Sequence, residues 1–73
     1  MRESKNLKWY LRPNPTSGVE LVDGDSIVAY VTPDDERVCL YHGFSFAKKA
    51  IAFDSSVFAV MEQVERMYLE HRF

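Results

Sequence analysis

The C-terminal third of the sequence carries an apolar stripe at helical spacing, and a 73-residue chain has few ways to bury such a stripe. The stripe follows Asp54-Ser55-Ser56, residues that favour the N-cap of a helix. Its apolar members are Val57, Val60, Met61, Val64, Met67 and Tyr68. This spacing predicts one amphipathic helix of about four turns over residues 57–71, and its apolar side requires a sheet to pack against.

The sheet is predicted from short stretches in which apolar and polar side chains alternate. These stretches cover residues 7–12, 19–22, 27–32 and 37–42. Gly43 is expected to end the last strand, two prolines break the chain over residues 13–18, and Asp23-Gly24 and residues 33–36 predict turns. The sequence therefore predicts an α+β fold, an antiparallel β-meander of three to four strands with one C-terminal amphipathic helix packed on one face.

Residues 44–53 fit two interpretations. Residues 44–46 alternate like a strand, whereas residues 47–50 have high helix propensity. The segment is therefore either a short helix that begins near Ser45 or a further strand that ends at Phe53, and both interpretations remain open at this point.

One phase of the predicted strands is apolar and is expected to lie under the helix. Its members are Leu7, Trp9, Leu11, Ile27, Ala29, Val31, Val38 and Leu40. Side chains along a strand alternate between the two faces of a sheet. We therefore predict that these residues and the helical stripe form the core together.

The opposite phase places one tyrosine on each of three predicted strands, with cations nearby. Its members are Lys8, Tyr10, Arg12, Val28, Tyr30, Thr32, Arg37, Cys39 and Tyr41. Because tyrosine and arginine are enriched at interface hot spots, the predicted protein-binding residues are Lys8, Tyr10, Arg12, Tyr30, Arg37 and Tyr41. Two other interpretations fit: an ordinary half-exposed face stabilised by cross-strand tyrosines, and a surface on which single-stranded nucleic acid stacks its bases.

Composition and charge limit the class of protein. Apolar residues make up 47% of the chain, which supports one folded domain over residues 1–73 with a flexible arm at residues 1–6. Cys39 is the single cysteine, so a reducing compartment, the cytoplasm, is expected. No apolar run approaches the roughly 18 residues that span a membrane. The net charge is −2 and residues 18–36 contain no cation, so a protein partner is favoured over nucleic acid.

Candidate catalytic and metal-binding groups are few. Cys39 and His42 have Cys-x-x-His spacing, but a structural zinc needs four ligands and the one other histidine is His71. Residues three apart on a strand also face opposite sides. The acidic residues lack the calcium-loop pattern, and the glycines do not form a phosphate-binding loop. We therefore expect no metal, no cofactor and no enzymatic activity.

In general character the chain resembles the small proteins that bacteriophages encode to disable or redirect host machinery. The likeness rests on the whole-chain length, on residues 27–32 followed by the turn at residues 33–36, and on the helix at residues 57–71. Proteins of this kind bind host RNA polymerase or, as anti-CRISPR proteins, block nuclease complexes. The resemblance implies a non-enzymatic protein-binding regulator or inhibitor in the host cytoplasm, with host RNA polymerase as its partner, and it transfers no functional residue. A single-stranded nucleic-acid-binding module remains the alternative.

Overall fold

The strands follow one another as a meander, with the helix at the end of the chain. The computed structural model describes residues 6–12, 18–34 and 40–73. The elements are β1 (Leu7–Leu11), β2 (Val19–Asp23), β3 (Ser26–Pro33), β4 (Tyr41–Ser45), β5 (Ala50–Asp54) and α1 (Val57–Leu69). Each strand pairs antiparallel with the next, giving a five-stranded sheet in the order β1-β2-β3-β4-β5. The predicted α+β fold is confirmed, with more strands than the three to four that were expected.

The β2–β3 hairpin forms where Asp23-Gly24 predicts it. Asp23 lies opposite Ser26, so the loop has two residues, and Gly24 takes a left-handed φ of 62° at its first position. The amide of Gly24 donates to the carbonyl of Asn6 at 3.2 Å. Asn6 is the last residue of the arm predicted at residues 1–6, and residues 1–5 lie outside the described part of the chain.

The segment at residues 44–53 is strand rather than helix. It completes β4, turns, and forms β5. In the turn, the amide of Ser45 donates to the carbonyl of Lys49 at 2.9 Å, and the amide of Lys48 donates to the carbonyl of Ser45 at 2.8 Å. Lys48 has a left-handed φ of 66°, and in short hairpin loops a position with this conformation is usually occupied by glycine.

Replacing Lys48 with glycine should therefore stabilise the domain. A left-handed φ costs an L-residue about 1 kcal/mol, and glycine adopts it without that cost. We expect the free energy of unfolding to rise by about 0.5–1 kcal/mol, which raises the melting temperature by a few degrees. The matched control is Lys49→Gly, because Lys49 is the next exposed lysine and has an ordinary φ, so this variant should lose stability. Thermal unfolding followed by circular dichroism measures both, and a loss in both would contradict the prediction.

Helix α1 begins at a side-chain cap and covers one face of the sheet, which we call the inner face. Ser56 is the N-cap, and its hydroxyl oxygen accepts a hydrogen bond from the amide of Ala59 at 3.4 Å. The buried core consists of Leu21, Ala29, Val31, Val60, Val64 and Tyr68. Val57 and Met61 pack beside it, so five of the six residues of the predicted stripe, all but Met67, form or border the core.

Two polar contacts connect α1 to β1 and β2, the two strands farthest from β5 in the sheet. The helix packs mainly on β3, β4 and β5. The indole Nε1 of Trp9 in β1 donates to Oε1 of Glu65 at 3.2 Å, and the hydroxyl of Tyr68 donates to the carboxylate of Asp23 in β2. These two contacts hold the C-terminal half of α1 against the sheet.

Small residues line the inner face where the helix crosses it. Gly43 and Ser45 of β4 are buried there. A Cβ atom at Gly43 would lie 2.6 Å from Cγ2 of Val64 and 3.0 Å from Cγ1 of Val60. Gly43 thus permits the close approach of α1, and it lies in the middle of β4. The prediction that Gly43 ends the strand was wrong.

Adding one methyl group at Gly43 should test this close approach. Val64 is fully buried and β-branched, so its methyl group cannot easily move away, and Gly43→Ala should cost about 1–3 kcal/mol of stability. The cost should be smaller in a Val64→Ala background, because that change removes the nearest atom. Chemical denaturation of the four proteins in this double-mutant cycle measures the coupling. An equal cost in both backgrounds would show that Val64 is not the side chain that an added methyl group at Gly43 meets.

The phase of β4 differs from the one predicted. The strand was expected over residues 37–42, but β4 begins at Tyr41, and Leu40 is half-buried just before it. Tyr41 shares the inner face with Gly43 and packs against the core, so its predicted position on the opposite face was wrong. Residues 35–39, which include Arg37, Val38 and Cys39, lie outside the described part of the chain.

Ile27 and Leu11 were expected in the core and are instead exposed, for different reasons. The β2–β3 register shifts at Val28, and this bulge turns the Val28 side chain towards the core. Ile27 then lies opposite Val22 on the other face of the sheet, and Ile27 is 41% exposed. Leu11 keeps the predicted phase, but it lies on the edge strand β1, away from the strands that α1 covers, and is 83% exposed.

Candidate protein-binding face

The sheet face opposite α1 is built from rows of cross-strand neighbours, and we call it the outer face. One row contains Lys8, Val22 and Ile27. The central row contains Tyr10, Glu20, Tyr30, Phe44 and Ala50. A further row contains Thr32, His42 and Phe53. Paired residues of an antiparallel sheet point to the same side, so each row is a line of neighbouring side chains.

A continuous set of rings, which we call the aromatic run, crosses strands β3, β4 and β5 on the outer face. The rings of Tyr30 and Phe44 are stacked, with centroids 5.3 Å apart and planes at 21°. His42 lies 6.1 Å from Phe44 and 6.0 Å from Phe53, again with nearly parallel planes. The four rings therefore form one connected surface, and each pair also stabilises the sheet by stacking.

On β4 and β5 three large side chains, those of His42, Phe44 and Phe53, lie on the outer face rather than in the core. Gly43 and Ser45 of β4 face the helix, while His42 and Phe44 face away from it. In β5, Ala52 packs on the core while Phe53 is 66% exposed. A sheet with one face towards water usually has polar side chains on that face. The reversal follows from the small residues that α1 requires, and it leaves Phe53 exposed on the outer face beside half-buried His42 and Phe44.

Cations border the aromatic run at two edges. At the β1 edge, Arg12 places its guanidinium carbon 4.4 Å from the centroid of the Tyr30 ring, and Lys8 lies in the next row. At the other edge, Lys48 and Lys49 are exposed in the turn between β4 and β5. The anion of the central row is Glu20, which lies between Tyr10 and Tyr30.

Four of the six predicted binding residues come together on the outer face. Lys8, Tyr10 and Tyr30 occupy it through the strand register, and Arg12 reaches it through its contact with Tyr30. Tyr41, the fifth, faces α1 instead. Arg37, the sixth, lies outside the described residues.

His42, Phe44 and Phe53 belong to the outer face and were not among the predicted site residues. The alternation of residues 44–46 was a visible strand signal. That signal did not show which side chains of β4 face the helix, because the phase of β4 depends on Gly43 lying beneath α1. His42 also pairs with the carboxylate of Asp34, its Nε2 lying 3.0 Å from Oδ2, and this contact orients the imidazole between Phe44 and Phe53 in the aromatic run.

Within residues 6–12, 18–34 and 40–73, no group of three or more His, Cys, Asp or Glu side chains is placed to hold a metal ion. Cys39, one member of the Cys-x-x-His spacing, lies outside those ranges. The outer face instead offers ring surfaces, hydroxyl groups and flanking cations.

Comparison with protein-family models, with curated proteins and with solved structures finds no match for this chain. In the part of the chain that the structure describes, no helix has the length and apolar character needed to cross a membrane. The interpretation of the outer face therefore rests on its own geometry.

Proposed function

We propose that this protein is a non-enzymatic regulator that binds a protein partner through the outer face. The observation that carries this proposal is the aromatic run of Tyr30, His42, Phe44 and Phe53, on the side of the sheet opposite the core. Large rings supply most of the binding energy at many interfaces. Rings that already stack on a sheet lose little side-chain freedom when a partner arrives, so little of that energy is lost to ordering.

The partner we propose presents apolar side chains to the aromatic run and carboxylates to its borders. Lys8 and Arg12 border the run at β1, and Lys48 and Lys49 border it at the turn between β4 and β5. Apolar contacts at the centre of an interface determine affinity, whereas opposite charges at its rim chiefly speed association. Binding should therefore weaken only moderately at high salt.

Bacterial RNA polymerase is the partner that we propose to test first, because of the general resemblance to small phage-encoded regulators. A non-enzymatic regulator of this size would act by covering a surface that the polymerase needs for initiation or termination. The proposal therefore requires direct, stoichiometric binding.

A matched pair of phenylalanine variants tests this function. Phe53 is 66% exposed on the outer face, and Phe58 is 76% exposed on α1. We expect wild type and Phe58→Ser to bind immobilised RNA polymerase with equal affinity, and Phe53→Ser to bind at least about ten-fold more weakly. Biolayer interferometry gives these affinities. Equal weakening by both changes would contradict the role of the outer face, and no binding by wild type would remove RNA polymerase as the partner.

The aromatic run also favours a second candidate function, the binding of single-stranded nucleic acid. Stacking of a base on an exposed ring contributes about 1–3 kcal/mol, and Arg12 and Lys8 lie beside the rings. Against it stand the net charge of −2 and Glu20 in the central row. Binding of labelled oligo-dT or oligo-U that falls steeply with salt and is lost in Phe53→Ser would favour this candidate over a protein partner.

A further inference from the structure

The free edge of β5 is a surface distinct from the outer face. Within the described residues, β5 pairs with β4 alone, so its other edge presents unpaired backbone amides and carbonyls. An open groove runs along this edge, lined by Ala50, Ile51, Ala52, Phe53 and, from α1, Gln63. The opposite edge strand β1 contains Lys8, which discourages pairing, whereas β5 has no lysine within it.

We propose that β5 pairs antiparallel with β5 of a second copy of this chain, joining the two sheets around a two-fold axis. In the register we infer, Ile51 lies opposite Ala52 of the second copy and Ala50 lies opposite Phe53 of the second copy. Lys49 then lies opposite Asp54 of the second copy. The two-fold axis repeats each of these pairs, so the interface is self-complementary.

The bulge in β5 makes this register compatible with both faces of the sheet. Opposite residues in an antiparallel ladder must point to the same side. The β4–β5 register shifts at Ile51, so Ile51 and Ala52 both pack on the core while Ala50 and Phe53 both lie on the outer face. Pairing Ile51 with Ala52, and Ala50 with Phe53, therefore keeps inner residues with inner ones and outer residues with outer ones.

Charge complementarity selects a second copy as the occupant of this edge. The flanks of β5 carry opposite charges, Lys49 before it and Asp54 at its end. Antiparallel pairing brings each lysine to the carboxylate of the other copy, and such cross-strand pairs are favourable. Asp54 already accepts hydrogen bonds from the amide of Ser56 at 3.0 Å and from the hydroxyl of Ser55 at 3.4 Å, and a carboxylate has further acceptor sites for a lysine.

The small size of the interface makes this dimer weak and reversible. Each copy contributes the five residues of β5 and its neighbours, whereas a standard stable interface uses roughly 20–30 residues a side. We therefore expect a dissociation constant in the micromolar range or weaker. The aromatic runs of the two copies would then lie on one continuous sheet, which doubles the outer face presented to a partner.

Sedimentation velocity over rising protein concentration tests the proposal with a pair of charge reversals. Lys49→Glu places like charges opposite Asp54 and should weaken the dimer at least about ten-fold. Lys48→Glu changes the net charge equally at the adjacent residue and should change the dissociation constant by less than about three-fold. Concentration-dependent amide chemical shifts, followed by nuclear magnetic resonance, should centre on residues 49–54.

A wild-type protein that stays monomeric up to about 1 mM would overturn the proposal. So would a dimer that Lys49→Glu leaves intact, or one whose concentration-dependent shifts centre on Tyr30 and Phe44, since the outer face would then be the dimer contact. Weakening by Lys49→Glu alone, with shifts along β5, is the result that supports it. Lys48 and Lys49 also border the aromatic run, but both measurements use the protein without RNA polymerase, so this outcome is independent of binding to the polymerase.

Discussion

Val64→Asp should leave the chain unfolded at 25 °C. Val64 is fully buried, and its side chain lies over Gly43 of β4. A carboxylate at this point would lose its hydration inside the apolar core, and a loss of about 4–5 kcal/mol or more is expected. A chain of 73 residues has a total free energy of unfolding of only roughly 4–11 kcal/mol. Far-ultraviolet circular dichroism should therefore show loss of both helix and sheet signals.

The matched control for this change is Phe58→Asp on the same helix. Phe58 is 76% exposed, and the first turn of α1 contains no acidic residue. A carboxylate near a helix N-terminus is mildly stabilising, so this variant should melt at or slightly above the wild-type temperature. A cooperative, near-normal melt for Val64→Asp would mean that α1 presents a different side to the sheet.

Phe44→Ala should weaken partner binding about thirty-fold while the domain remains folded. Phe44 stands between Tyr30 and His42, at 5.3 Å and 6.1 Å, and so lies within the aromatic run. Truncation of a central ring typically costs 2 kcal/mol or more of binding energy, which is about a thirty-fold rise in the dissociation constant. The accompanying loss of ring stacking and of half-buried apolar area should lower the free energy of unfolding by about 1–3 kcal/mol.

Val57→Ala serves as the stability-matched control for Phe44→Ala. Val57 is half-buried and packs against the core from α1, so its truncation weakens folding without touching the outer face. It should bind the partner as wild type does, once both variants are measured well below their melting temperatures. Equal binding by Phe44→Ala and wild type would show that the aromatic run has a purely structural role.

The helix and the fold class could be predicted because local signals agree with the tertiary structure. Asp54-Ser55-Ser56 marks the helix start. In a chain this small, the stripe through Val60 and Val64 can be buried only against the sheet. Asp23-Gly24 likewise placed the hairpin between β2 and β3. In each case the neighbouring residues alone carry the information.

The face of β4 could not be predicted, because it depends on a distant element. Gly43 is a strand breaker by local propensity, and it is tolerated in β4 because Val64 of α1 leaves no space for a side chain there. Because Gly43 faces α1, Tyr41 also lies on the inner face and Phe44 lies on the outer face. The bulge at Val28 had the same effect on Ile27, since a one-residue shift in register exchanges the two faces.

Photo-crosslinking from two matched positions tests the outer face most directly. The photoreactive analogue p-benzoylphenylalanine replaces Phe53 on the outer face or Phe58 on α1, both of which are well exposed, at 66% and 76%. Each protein is irradiated with the partner, and the adducts are identified by mass, which also separates adducts between two copies of the chain. We expect an adduct with the partner from position 53 and none from position 58. An adduct with the partner from position 58 alone would place the interface on the helix and contradict the role of the outer face.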